Sequence, residues 1–187
     1  MIKPMLAQKV NTKPIDWTNK VFVQPKLDGV RCIFTKDGAY SRNHKQFKNV
    51  DHLQDDLQDF FKKFPDIVLD GELYNHALKQ DFEKIISLVR KQKPSEQDRS
   101  EASDLVQFHV YDVITEPNFT YEFRHNMLAL QLPIVKSITL IKNTVVESYD
   151  EAKMLHAVHL AQGYEGSMLR LNAFYEQKRS YNLQKFK

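Results

Sequence analysis

A single cysteine, Cys32, occurs in the 187 residues, so no internal disulfide can form, and the lack of a disulfide framework fits a reducing compartment. Cys32 itself reads as a small strand residue rather than a catalytic thiol. No apolar run approaches the roughly 20 residues that cross a bilayer, so a soluble protein with no membrane partner is expected. The opening Met1-Ile2-Lys3-Pro4-Met5-Leu6-Ala7 lacks the apolar core of about 7–15 residues and the small-residue cleavage site of a secretory signal, and export is not expected. Internal repeats, low-complexity tracts and an obvious interdomain linker are also missing. What remains is an ordinary globular balance, 42% hydrophobic and 27% charged, of a length that suits one substantial core. One domain is therefore expected over residues 1–187.

The basic excess is small, a formal +3, which is compatible with a polyanionic partner without establishing one. Placement is more informative than the total. Lys26, Arg31, Lys36, Arg42, Lys45 and Lys48 fall in one segment, and Lys178, Arg179, Lys185 and Lys187 gather at the end. Taken alone, each cluster reads as a solvated face.

Periodicity predicts mixed structure. Val21–Val23 and Val30–Phe34 read as strands flanking Lys26-Leu27-Asp28-Gly29, where Asp-Gly supplies a turn signal and puts Lys26 at a strand end. Asp51–Lys63 carries Leu53, Leu57, Phe60 and Phe61 at near-helical spacing and reads as one packing helix, ended by Pro65. Ile67–Tyr74 reads as a strand, Phe82–Lys91 as an amphipathic helix, and Lys93–Asp104 as the most loop-like stretch. Leu105–Ile114 reads as a buried strand, Tyr121–Gln131 as a helix, Ser137–Val146 as β-rich, and Asp150–Gln162 as a helix closed by Gly163. Short strands follow at Ser167–Leu171 and Leu183–Lys187. The fold class expected is α+β, mainly antiparallel sheets flanked by helices.

Phosphoryl transfer needs a nucleophile in line with phosphorus, cations for the phosphate oxygens and usually a divalent metal. A lysine can be the nucleophile when its amine is uncharged, a form favoured by desolvation and by neighbouring positive charge. The run Lys26-Leu27-Asp28-Gly29-Val30-Arg31 resembles the motif Lys-x-Asp-Gly-x-Arg of the covalent nucleotidyltransferases: DNA ligases, RNA ligases and mRNA capping enzymes. Further motifs follow in that family's order, namely Ser41-Arg42-Asn43, Asp70-Gly71-Glu72-Leu73, Phe108-His109-Val110-Tyr111-Asp112, Glu165-Gly166-Ser167-Met168-Leu169-Arg170 and Leu183-Gln184-Lys185-Phe186-Lys187. Met5-Leu6-Ala7 resembles the family's opening segment, so the likeness covers nearly the whole chain. The form of the Glu165 motif is similar to that of ATP-dependent DNA ligases in particular.

The resemblance implies an adenylation domain of ATP-grasp-like fold over 1–187, with ATP and Mg²⁺ as cofactors and nicked duplex DNA as partner. Lys26 is implied to take AMP from ATP, pass it to the 5′-phosphate of a nick, and support displacement of AMP by the 3′-hydroxyl. Catalytic roles are implied for Lys26, Asp28, Arg31, Lys185 and Lys187, with Asp28 acting late, near the nick. Nucleotide contacts are implied for Gln24, Lys26, Arg31, Arg42, Glu72, Tyr111, Glu165, Arg179, Lys185 and Lys187. Among these, Tyr111 would stack on the purine, Gln24 would help recognise the adenine edge, and Glu72 would meet the ribose. Glu72 and Glu165, as hard carboxylates, would hold the metal. His44 stands where many relatives have glycine. None of the seven histidines forms a convincing metal set; His156 and His159 lie three apart on a predicted helix with no third ligand evident, and they read as surface or packing residues.

Relatives carry a following oligonucleotide/oligosaccharide-binding domain, expected here to lie outside the 187 residues, and without it self-adenylation is expected to be slow. A compact viral or bacterial-type ligase, monomeric and intracellular, is expected. Two alternatives share the motifs: RNA ligation or capping guanylyl transfer, and a non-catalytic module that binds nucleotide or DNA ends.

Overall fold

The computed structural model describes all residues, Met1–Lys187. In chain order the strands are β1 (Leu6–Lys9), β2 (Val21–Lys26), β3 (Val30–Thr35), β4 (Gly38–Tyr40), β5 (Val68–Tyr74), β6 (Gln107–Ile114), β7 (Ile138–Leu140), β8 (Thr144–Val146), β9 (Gly166–Leu171) and β10 (Arg179–Phe186). The helices are α1 (Asp51–Asp56), α2 (Gln58–Lys63), α3 (Phe82–Val89), α4 (Glu96–Leu105), α5 (Tyr121–Gln131) and α6 (Tyr149–Ala161). None of them is long and apolar enough to cross a membrane. The expected α+β class holds, and the chain divides into two compact units.

The first unit comprises Met1–Leu27, Asn118–Arg124 and Ile141–Lys187. Its five-stranded sheet has the order β1-β10-β9-β2-β8, antiparallel except where β1 runs parallel to β10. One face is apolar: Val21, Val23, Val146 and Leu169 pack with Ala152 of α6. Alternation along β2 and β9 turns Phe22, Gln24, Lys26, Met168 and Arg170 to the opposite face.

Asp28–Pro117 and His125–Leu140 form the second unit, built on a sheet of order β4-β3-β5-β6-β7. Its core joins Cys32, Phe34, Leu69, Leu73, Phe108 and Val110 of the sheet to Leu53, Phe61, Ile85 and Leu88 of the helices and to Leu57 between α1 and α2. Fully burying side chains of this kind stabilises by about 1.5–3 kcal/mol each before the entropy of ordering them is set against it. Cys32 is buried there, and burial pushes its thiol well above the ordinary range, in keeping with the strand role expected of it. Arg31, Glu72, His109 and Tyr111 alternate with core residues and so lie on the face turned away from the helices.

Four expectations are corrected. Strands β2 and β3 do not pair as a hairpin around Lys26–Gly29; they belong to different sheets. Gly29 is not a turn glycine, because a Cβ there would lie 2.4 Å from the Leu73 carbonyl oxygen. It is the close approach of β5 that demands glycine. The helix expected over Asp51–Lys63 is interrupted at Leu57, although Leu53, Leu57, Phe60 and Phe61 are all buried as their spacing predicts.

Lys93–Asp104, expected to be a loop, holds helix α4. Ser95 and Asp98 form a reciprocal capping box that satisfies two backbone donors at its start. Ion pairs Lys84–Glu101 and Arg99–Asp51 tie α4 to α3 and α1. Only Ala102 of α4 is buried, so the segment has no apolar period to read, and caps and charges hold it instead.

Candidate active site

In the first unit the motif residues converge on one carboxylate. Lys26, the last residue of β2, pairs with Gly166 in register, and the Glu165 amide donates to the Lys26 carbonyl at 3.2 Å. This brings the Lys26 Nζ to 2.5 Å from Glu165 Oε2, while the Lys187 Nζ lies 2.6 Å from Glu165 Oε1. Burial pushes the Glu165 carboxyl up, but the hydrogen bonds from Lys187 and Lys26 outweigh it and hold the group below the ordinary 4.5. A carboxylate bridging two ammonium groups, one of them only 19% exposed, gathers charge at the end of β2. Lys185 pairs with Met168 and so shares the sheet face of Lys26.

Behind Lys26 on the same face, Gln24 is 1% exposed, and its side chain is engaged at both ends. Its Nε2 donates to the Tyr121 hydroxyl at 2.6 Å and to Asn143 Oδ1 at 2.8 Å, while its Oε1 accepts from Arg170 Nε at 2.9 Å. The Arg170 guanidinium lies over the Tyr121 ring, 5.3 Å from its centre. The Gln24 side chain is thus committed to the interior of the first unit. Asn143 and Tyr121, which hold it, lie outside every motif and carry no sequence signal of this role.

In the second unit, Arg31 is clamped by Asp70, with Nε donating to Oδ1 and Nη2 to Oδ2, both at 2.7 Å. Asp70 is fully buried. The Arg31 guanidinium lies over the Tyr111 ring, 5.2 Å from its centre, and the Tyr111 hydroxyl donates to Glu72 Oε2 at 3.2 Å. Arg31, Tyr111 and Glu72 therefore form one connected group. Asp70 was not singled out in the sequence, although it stands in the Asp70-Gly71-Glu72 motif two residues from Glu72.

His109 shares a strand face with Tyr111. Burial, with the nearby His76 adding to it, pushes its imidazole down from 6.5 to about 4. A neutral His109 thus contributes stability that is fully present above the ordinary value and lost as pH falls through the folded one. Between pH 6.5 and about 4, unfolding by urea should become progressively easier, with the His109 ring still uncharged by NMR at pH 5. A His109 ring that titrates near 6.5 would contradict this assignment.

The remaining predicted residues make none of these contacts. Asp28 is exposed at the start of the second unit, and Arg42 is exposed in the turn after β4. His44 in that turn has φ 66°, so histidine adopts here the left-handed conformation that glycine takes readily. Arg179 is exposed at the start of β10, where it donates to the Ala7 carbonyl at 2.6 Å. It lies six residues from Lys185 along the strand, about 20 Å at ~3.3 Å per residue. His156 and His159 have no third ligand, and no group of three His, Cys, Asp or Glu suited to a metal occurs.

The fold, two largely antiparallel sheets with helices, is shared with solved DNA ligase domains. The fold matches that of a Lig E DNA ligase with TM-score 0.79 at 22% identity, covering all of this chain and 69% of that one. It also matches the ATP-dependent DNA ligase from bacteriophage T7, solved in complex with ATP, with TM-score 0.76 at 17% identity, covering 100% of this chain and 68% of that one. Residues 4–187 match the family model described as ATP dependent DNA ligase domain, and the chain belongs to that family. A DNA ligase of African swine fever virus is 30% identical over 192 residues, covering 94% of this chain and 43% of the viral protein. The DNA ligase of Enterobacteria phage T4 is 25% identical over 232 residues, covering 98% of this chain and 48% of the phage protein. The chain thus spans less than half the length of these curated relatives.

Proposed function

We propose that the chain is the catalytic core of an ATP-dependent DNA ligase that carries AMP on Lys26. The Lys26 amine attacks the α-phosphorus of ATP; a P–N bond forms and the bond to pyrophosphate breaks. AMP then passes to the 5′-phosphate of a nick, and the adjacent 3′-hydroxyl displaces it as the phosphodiester forms. The observation that carries this reading is the Lys26–Glu165–Lys187 group, in which one carboxylate bridges the half-buried amine of Lys26 and a second lysine.

Glu165 Oε2, 2.5 Å from the amine, is placed to receive the proton that Lys26 must release before it attacks. Lys185 and Lys187 neutralise the phosphate, and Arg31, oriented by Asp70 and Tyr111, presents a guanidinium to the nucleotide. Tyr111 stacks on the purine, and Glu72, oriented by the Tyr111 hydroxyl, receives a ribose hydroxyl. Magnesium is held by one or two carboxylates with phosphate oxygens and water completing the shell, and Glu165 is an oxygen donor of that type. Glu165 would hold it, with Glu72 the second candidate, and it would supply neutralisation of phosphate charge. The partner proposed is nicked duplex DNA, the protein acting as an intracellular monomer. Asp28 is assigned to the sealing step, and Arg42 to a phosphate contact.

Incubation with labelled ATP and, separately, labelled GTP tests the base. AMP attached and GMP not attached is the expected result; GMP attachment would place the chain with capping enzymes. Sealing of a nick in DNA in preference to one in RNA separates the two ligase readings.

A further inference from the structure

Ser167 is fully buried on β9, two residues beyond Glu165. Its Oγ lies 2.7 Å from His159 Nδ1 and 3.2 Å from His156 Nδ1. The histidines are three apart on α6 and so share a helix face. One hydroxyl has one proton, so Ser167 donates to one ring and accepts from the other, with the two neutral rings in opposite tautomers. Burial lowers both imidazoles, and His156 lowers His159 further, which favours those neutral forms.

The same helix face reaches β10. The His156 ring lies 4.0 Å, centre to centre, from Phe186, which pairs with Ser167 in register and precedes Lys187. Between them, a Cβ on Gly166 would lie 2.2 Å from the Phe186 carbonyl oxygen and 3.3 Å from His156 Cε1, so the segment has no slack. Helix α6 therefore grips both strands that end at the Glu165 group, β9 through a hydroxyl and β10 through a ring.

We infer that Ser167, His156 and His159 are positioning residues that fix Glu165 and Lys187 against Lys26 for AMP transfer. Ser167, with no exposure, meets no substrate and acts only through its neighbours. The inference rests on the nucleotidyl-transfer reading above. A misplacement of about 1 Å at a reacting centre can lower a rate by about 10²-fold. The expected loss on removing the hydroxyl is accordingly about tenfold or more in the rate of AMP attachment at saturating ATP, with the half-saturating ATP concentration little changed.

The test measures AMP attachment to the full chain in single turnovers for Ser167→Ala, His159→Leu and His159→Asn, with the melting temperature of each. Asparagine places an amide where the His159 Nδ1 stands. Ser167→Ala and His159→Leu should lose maximal rate, and His159→Asn should recover most of it while melting no higher than His159→Leu. Unchanged maximal rates in the first two variants would overturn the inference. So would a loss confined to ATP affinity, or a His159→Asn variant as slow as His159→Leu. If Ser167→Ala does not fold, the two His159 variants decide alone. An unaltered chain that takes up no AMP overturns the functional reading first, and this inference with it.

Discussion

Replacing Lys26 with alanine will abolish AMP attachment, a loss on the order of 10⁴–10⁶-fold of the kind seen when a covalent nucleophile is removed. No other amine occupies its place. Lys187 is held on the opposite oxygen of Glu165, and Lys185 pairs with Met168 on a neighbouring strand. The variant should stay folded, because the Glu165–Lys187 pair survives and the residues packed around α6 are untouched. Labelled-AMP transfer measures the loss, and an unchanged urea midpoint shows that it is chemical. Lys26→Arg should be equally inactive, since a guanidinium remains charged and cannot attack.

Asp70→Ala should destabilise the protein by about 3–5 kcal/mol, because it removes the fully buried carboxylate of a bidentate ion pair. Arg31 loses both 2.7 Å hydrogen bonds, and with them the anchor that keeps its guanidinium over Tyr111. Against a total stability of about 5–15 kcal/mol this is a large fraction. Asp70→Asn, which retains one acceptor, should lose less. The urea midpoint measures the difference, and a midpoint for Asp70→Ala within error of the unaltered protein would show that the clamp contributes nothing.

The sequence disclosed most of what repeats with a period or belongs to a motif. The strands β5, β6 and β9 and the helices α3, α5 and α6 lie where alternation and helical spacing put them, because each buries an apolar face against one core. Helix α4 was illegible for the opposite reason: a capping box and ion pairs hold it, and neither leaves an apolar period. The pairing of β2 was hidden as well. Asp-Gly after Lys26 reads as a turn, whereas Gly29 is there for the closeness of β5.

At the site, residue identity was legible and orientation was not. Lys26, Glu165 and Lys187 meet in one group, and Arg31, Glu72 and Tyr111 in another. The residues that orient them are a buried acid at Asp70 and a hydroxyl at Ser167. Each acts through contacts between residues distant in sequence, which neither composition nor spacing records. Gln24 shows the same gap: Tyr121, Asn143 and Arg170, which hold its side chain at both ends, are far from it in sequence.

Intact-mass measurement after incubation with ATP and Mg²⁺, followed by peptide mapping, tests the central claim most directly. The account predicts a gain of one AMP, lost in acid as phosphoramidates are, on the peptide containing Lys26. An AMP attached to any other side chain, or a chain extended to the length of its relatives that seals nicked DNA with Lys26 replaced, would contradict it.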